Sequence, residues 1–395
     1  MNSPESEYDP PAVDSDRSLR LLFVVDSTFP TLGGAETQAR KLAAALRERG
    51  HEVSFVAPRV LPEQPLEETV DGFPVTRIDY PHIKLFGAVC MMVGFGKYFL
   101  READNYDAIH VHITRLCAAV AAALKPRFKK PVIAKISGYF EFNGGVLDET
   151  KRWLPVNFLI RRALRNLDYF QTISLETRDK LLEAGYSDEQ IQFVPNGIDI
   201  PATVKPRPLD ASAPIVFGYC GRLREVKGVH VLIDAFAAIV KNNPERNIQL
   251  HLVGDGTERD NLTEQCAEHG ISGNVFFLGQ MEDTAVAYAN FHYYVQPSFA
   301  EGLPNAVIEA MVSRLPVVAS AVGGNKDLIR DGKTGLLFPA GDTQVLIDCM
   351  QRCIDAPESL SALAESAENL IHSVYSFDKV AEKIVGLYQN QPAHQ

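Results

Sequence analysis

Apolar and polar positions fall into blocks that alternate in kind along the chain. Residues 19–25 are an apolar run broken only by Arg20, the pattern of a strand buried on both faces. A Gly33-Gly34 pair follows. A helical stretch then carries Leu42, Ala45 and Leu46 on one face and stops at Gly50. Residues 51–57 read as the next strand, and 75–78, 108–113, 132–136 and 169–173 as further ones. Strands alternating with helices predict an α/β protein with a parallel sheet and helices on both faces. Residues 201–214 hold Pro201, Pro206, Pro208 and Pro214 and read as a linker. The pattern then restarts with strand candidates at 215–220, 248–253, 275–278, 293–296 and 317–320. Each half has the size of one Rossmann-like domain, so the expected division is 19–200, a 201–214 linker and 215–374. The last segment, 375–395, has helical periodicity through Val380, Ile384 and Leu387.

The densest signal lies at 298–311, SFAEGLPNAVIEAM. Pro304 suits the first position of a helix, and Gly302 frees the turn that enters it. Glu309 stands in an otherwise apolar helical run, where a buried carboxylate costs several kcal/mol, roughly, unless it is hydrogen-bonded. Glu301 lies before the helix start, eight residues earlier. Eight helical steps separate the two by roughly 80° about the axis, so both are expected to line one cleft at two depths. The apolar run 315–320 ends near Gly323-Gly324, and a short helix is expected to begin at Asp327. A strand that stops at Gly-Gly before a helix suits a diphosphate resting on backbone amides. Gly332-Lys333-Thr334 is not a P-loop, because Asp327 stands where that motif needs glycine. Arg222 and Lys227 follow the 215–220 strand, at the strand end where α/β sheets place ligands. A cation pair there suits a diphosphate, with Arg222 offering a fork and Lys227 a point charge.

EGLPNAVIEAM, PVVASAVGGNKDLI and DGKTGLLF together resemble the C-terminal signature of family 4 glycosyltransferases, retaining enzymes of the GT-B fold. Gly221-Arg222-Leu223-x3-Lys227-Gly228 resembles that family's phosphate loop at every usual position. The resemblance implies two Rossmann-like domains facing across a cleft, with the last helix returning to the N-terminal domain. It implies a nucleoside-diphosphate sugar as donor, a UDP-sugar before GDP-mannose. Glu309 would then hold ribose hydroxyls, and Glu301 with the backbone of Gly302, Leu303 and Pro304 would hold the sugar. Arg222, Lys227, Gly221, Gly323 and Gly324 would take the diphosphate, Gly254 would lie near the base, and Gly33-Gly34 near the diphosphate or acceptor. Residues 194–199, VPNGID, match as a structural turn. The chain departs from the family at Arg314, where glycine is usual, and at Asp327, where glutamate is commoner. It departs again at Ser137, where many members carry a histidine. His110 and His112 point the same way from one strand and are candidates to replace that histidine, and Glu141 is a candidate acceptor wall.

Composition narrows the rest. The chain has 395 residues, 46% hydrophobic and 23% charged, which is ordinary for a large globular protein. A net charge of −11 argues against a nucleic-acid binder. The six cysteines form no C-x2-C, so they read as reduced core thiols rather than zinc ligands or disulfides. There is no metal cluster and no Asp-x-Asp at a strand end, since Asp14-Ser15-Asp16 falls in the expected tail. No cofactor beyond the donor is expected, and activity should survive chelators. Residues 1–18 are acidic and read as a disordered tail without a signal peptide, which points to the cytoplasm. Residues 85–96, LFGAVCMMVGFG, are too short to span a bilayer and read first as a buried helix, second as a lipid- or acceptor-facing element. Basic residues at 125–130 and 151–165 suit a solvated face, and also an anionic membrane surface at the inner face of the membrane. The expected activity is metal-independent, retaining sugar transfer to an unidentified hydroxyl acceptor. A nucleotide-sugar epimerase of related fold would need no acceptor, and a non-catalytic scaffold would bind donor without turnover.

Overall fold

The structure is a computed structural model that describes residues 17–30, 34–136, 139–142, 144–151, 153–200, 213–281, 284–301 and 304–390. Most of the expected acidic tail and linker lie outside the described residues, as do Gly33, Ser137, Gly302 and Leu303. The chain divides into two units. One comprises the residues up to Ile198 together with those from Tyr375 on, and the other Asp199–Val374.

The sheet of the first unit holds β1 (Arg20–Val24), β2 (Glu52–Pro58), β3 (Glu67–Val70), β4 (Phe73–Ile78), β5 (Ala108–Val111), β6 (Val132–Ile136), β7 (Tyr169–Thr172) and β8 (Ile191–Phe193). Their order is β3-β4-β2-β1-β5-β6-β7-β8. Neighbours are parallel except β3 and β4, which form an antiparallel hairpin. Its two-residue loop, Asp71-Gly72, has φ of 52° and 80°, the positive values a tight hairpin turn needs. Central strands are buried along their length, as covered parallel strands must be.

The helix Phe377–Gln389 packs inside this unit. Phe377, Val380, Ile384 and Leu387 join Leu21, Phe23 and Phe55 in one core cluster. The turn at 194–199 receives this helix. A Cβ on Gly197 would lie 2.3 Å from the Phe377 ring, and Ile198 pairs with Ser376. The helix also closes over the two strand histidines. His110 Nδ1 lies 2.7 Å from the Tyr388 hydroxyl, and the two imidazoles stack at 4.4 Å. Both histidines are buried, His110 against this helix and His112 against Phe23, so neither lines an open surface.

Helix Lys84–Glu102 corrects the first reading of residues 85–96. Its Met91, Phe95 and Phe99 are buried, but Leu85, Phe86, Val89 and Val93 are exposed. The apolar run is therefore a helix buried on one face only.

The second unit holds β9 (Ile215–Cys220), β10 (Ile248–Val253), β11 (Val275–Gly279), β12 (Tyr293–Gln296), β13 (Val317–Ser320) and β14 (Leu336–Phe338). All are parallel, in the order β11-β10-β9-β12-β13-β14. The helix after the Gly-Gly pair spans Asn325–Leu328, two residues earlier than expected, and Pro304 caps the helix Asn305–Val312 rather than opening it. Arg314 sits at φ 54°. That left-handed backbone is where glycine is the low-cost residue, and the Arg314 side chain is held by Glu368 at 2.5 Å.

Candidate functional site

Strand order reverses between β9 and β12 in the second unit: β10 and β11 lie to one side, β13 and β14 to the other. Loops leaving adjacent strands at such a point diverge and open a crevice at the carboxyl ends. Arg222 and Lys227 leave the end of β9, and Glu301 follows the end of β12. The backbone of Phe299 donates to the carbonyl of Val226 at 2.8 Å and stitches the two loops together.

Glu301 is the buried carboxylate of the site, with only 8% of its side chain exposed. Its Oε1 accepts from Lys227 Nζ at 2.7 Å, Gln296 Nε2 at 2.7 Å and Ser298 Oγ at 2.6 Å. Three donors, one of them cationic, offset the desolvation that would otherwise push this carboxylate out. Among the described residues none reaches Oε2. Gln296 is itself held, because Tyr294 donates its hydroxyl to Gln296 Oε1 at 2.5 Å. Oε1 is thereby fixed by protein.

Two glycines show how closely the loops approach. At Gly323, φ is +40°, and a Cβ would lie 1.8 Å from the Glu301 carbonyl oxygen. At Gly254, φ is +126°, and a Cβ would lie 1.9 Å from the carbonyl oxygen of Gly221. Either side chain would force the loops apart. Gly324 N donates to the Glu301 carbonyl at 3.3 Å, and Ser320 Oγ donates to the Ser298 carbonyl at 2.5 Å. Four strand ends thus bring Gly221, Arg222, Lys227, Gly254, Glu301, Gly323 and Gly324 together. The Arg222 guanidinium is exposed, with no partner among the described residues. Burial pushes the Cys220 thiol up to about 12, so it stays protonated beside this loop and is no nucleophile.

Glu309 differs from its expectation. It is exposed, on the outward face of Asn305–Val312, and Thr284 Oγ1 donates to it at 3.1 Å. The helix is too short to surround it, so the desolvation argument belongs to Glu301 instead. Glu301 also lies in the loop before the helix, so the angle of eight helical steps does not relate the pair. Of the first unit's candidates, Gly34 opens the helix Gly34–Glu48 and Glu141 is buried. Lys135, also buried, donates to Asn196 at 2.6 Å. Among the described residues no group of three or more His, Cys, Asp or Glu is placed to hold a metal.

Gln296, Ser298 and Thr284 are the site residues that sequence reasoning passed over. The readable signal was Gln296-x-Ser298, two polar residues with period two at the end of a buried strand, which face the same side. Ser298→Ala removes one of the three donors to Oε1. It is expected to lower kcat/KM by roughly tenfold, the worth of one hydrogen bond to a charged group, and to lower the melting temperature as well, because Ser298 is buried and its loss removes a donor from a buried carboxylate. Unchanged kcat/KM would remove Ser298 from the support of Glu301.

Two family models match the chain in succession. The one described as Glycosyltransferase Family 4 matches residues 32–201, and the one described as Glycosyl transferases group 1 matches residues 214–356. An N-acetyl-alpha-D-glucosaminyl L-malate synthase of Bacillus anthracis is 25% identical over 91% of this chain and 94% of its own length. A phosphatidyl-myo-inositol mannosyltransferase of Mycolicibacterium smegmatis is 26% identical over 94% of each. Among solved structures, Anabaena HepE in complex with UDP superposes with a TM-score of 0.68 at 22% identity, over 93% of this chain and 98% of that one.

Proposed function

The chain belongs to glycosyltransferase family 4 and has the GT-B fold, and from that premise we propose that it moves a sugar from a nucleoside-diphosphate sugar to a hydroxyl acceptor, with retention and without a metal ion. The observation that carries this reading is the Lys227–Glu301 pair at the switch point, on the same loop as an Arg222 that has no partner among the described residues. Lys227 spends one of its three N–H donors on Glu301 and keeps two for phosphate oxygens. Arg222 supplies a planar fork, and the loop of Gly323 and Gly324 brings backbone close to the same place. Arg222 supplies net positive charge and Lys227, although paired with Glu301, supplies N–H donors, so together they can stabilise the leaving diphosphate, the task a metal performs elsewhere.

The anomeric C–O bond breaks toward an oxocarbenium-like state, and both its electrons leave with the diphosphate oxygen. That oxygen takes the acceptor's proton, and the acceptor oxygen bonds the anomeric carbon from the same face. Glu301, through Oε2, orients the sugar hydroxyls, with Gly302, Leu303 and Pro304 closing on the sugar from the backbone. Glu309 takes the ribose hydroxyls, with Thr284 orienting its carboxylate, and Gly254 lies near the base. Acceptor recognition is assigned to residues 19–200, where cell-surface polysaccharides, glycolipids and small glycosides are the acceptor classes. A UDP-sugar is the favoured donor, since HepE was solved with UDP; GDP-mannose is the second choice, in view of the mannosyltransferase relative.

A thermal-shift series with UDP-, GDP- and ADP-sugars, with and without EDTA, tests this reading. A ligand at 100 times its Kd adds about 2.7 kcal/mol of stability. One nucleotide class is expected to give that shift with EDTA present, and Glu309→Ala to reduce it. No shift with any donor, or a shift abolished by EDTA, rejects the donor or the metal-free site. An unchanged shift in Glu309→Ala rejects the ribose assignment.

A further inference from the structure

Three helices of the first unit, Lys84–Glu102, Leu116–Leu124 and Pro155–Leu164, form one layer on its sheet, with the middle one packed against both others. Their inner residues, among them Phe95, Phe99, Ala118, Ala122 and Leu164, fill the core beneath. The outer face of such a layer is normally polar. Here it is apolar. Leu85 is 87% exposed, and Phe86, Val89 and Val93 share its face. On the far helix and its entry, Trp153 is 79% exposed and Leu154, Val156, Phe158 and Leu159 are exposed too. The middle helix, LCAAVAAAL, has no polar side chain but a thiol; its Ala123 is exposed and its Leu116 and Val120 are half-buried, so it sets no charge between the other two. Contiguous exposed apolar surface on this scale marks an interaction site.

Charge selects the partner. In the stretches 83–102, 116–130 and 151–165 the single acid is Glu102, although the whole chain carries −11. Lys97, Arg101, Arg127, Lys129, Arg162 and Arg165 are exposed around the apolar surface. A second copy docked face to face would set this basic rim against itself. An anionic surface with an apolar interior matches both features. Among the described residues no helix is long and apolar enough to cross a membrane, so the layer would lie on a bilayer rather than through it. We propose that this three-helix face docks onto an anionic lipid bilayer, with Leu85, Phe86, Trp153 and Phe158 entering the headgroup boundary and the basic residues meeting lipid phosphates. The inference goes beyond the donor chemistry and stands without it.

Trp153 is the chain's one tryptophan, so its fluorescence reports this face alone. Full-length protein is mixed with vesicles of phosphatidylcholine, or of phosphatidylcholine with phosphatidylglycerol, and sedimented. The expected result is co-sedimentation with the anionic vesicles, a blue shift of Trp153 emission, and quenching by lipids brominated on the acyl chains. Arg162→Glu with Arg165→Glu should weaken anionic-vesicle binding by more than roughly tenfold, at about fivefold per basic residue near such a surface. Leu85→Ser with Phe158→Ser should remove the blue shift while the melting temperature shows a folded chain. Phe276→Ser, an exposed apolar change in the second unit, should alter neither. Equal binding to neutral vesicles, absence of binding, or binding without a change in Trp153 emission overturns the proposal. A concentration-dependent dimer that Leu85→Ser with Phe158→Ser dissociates would do so as well, and would assign the face to a second copy.

Discussion

Arg222→Ala is expected to lower turnover by roughly 10²-fold or more, the loss typical of removing one preorganised donor from a site where negative charge develops. Arg222 is exposed and its side chain makes no hydrogen bond or ion pair among the described residues, so its removal leaves no orphaned partner. The effect should therefore fall on kcat and not on the melting temperature. Its loop is held independently, because Tyr219 donates its hydroxyl to the Arg222 carbonyl at 3.1 Å, a bond any side chain at 222 retains. Slow hydrolysis of the donor by water gives an assay while the acceptor is unidentified. Arg222→Lys should recover part of the rate, since a point charge replaces the fork. A loss below about threefold in Arg222→Ala would take this residue out of the diphosphate site.

Stability should fall steeply in mild acid, by several kcal/mol between about pH 6.5 and pH 5, because two histidines are buried neutral. Burial, followed by the charge of Lys135, holds His110 down at about 3. Burial does the same to His112, helped by His110 and Lys135, and places it well below its ordinary value. Above about 6.5 neither the folded nor the unfolded chain protonates them, and stability is undiminished. Below it the unfolded chain takes up protons that the folded chain refuses. Each histidine then costs a slope approaching about 1.4 kcal/mol per pH unit, down to its folded value. Burial also lowers His51, which acts in the same direction. Asp26 opposes them, since burial raises its carboxyl and the folded chain gains from its protonation, but it is one group against three. Lys135 sits at about 8, so it is charged throughout this window and adds no slope. Melting temperatures at pH 7.5, 6 and 5 measure the effect, and His112→Phe should flatten the profile while keeping a ring against Phe23. A melting temperature constant from pH 7.5 to 5 would mean that the histidines reach water.

Much of the fold was legible because fully buried parallel strands are apolar runs whose identity does not depend on their neighbours. β9 is of this kind, and β1, β6, β10, β12 and β13 depart from it only at Arg20, Lys135, Gln249 and His251, Gln296, and Ser320. β3 was not legible from its pattern: EETV lies at the sheet edge, half solvated, and needs no apolar residues. Its signal was the Asp71-Gly72 turn, not the strand itself. β8 and β14 are three residues each, too short to show a period.

The site divides in the same way. Sequence alone placed Arg222 and Lys227 at a strand end and Glu301 just before a helix, because a β–α boundary is a local event that glycine and charge mark. It also named the family, since its motifs are contiguous. What it could not decide is which carboxylate is buried. Glu309 looked buried because its sequence neighbours are apolar, yet it projects outward from a helix buried on one side. Glu301 was expected to line a cleft, but nothing in its local sequence marked it as buried; strands β9 and β12, 74 residues apart at the Lys227–Glu301 contact, meet around it. Burial is a property of what folds over a side chain, and here those groups come from distant parts of the chain. The outward apolar face of the three-helix layer has the same origin. Residues 85–96 read as core material and 151–165 as a solvated face, and only the packing of the three helices on one side of a sheet decides which residues are left facing out.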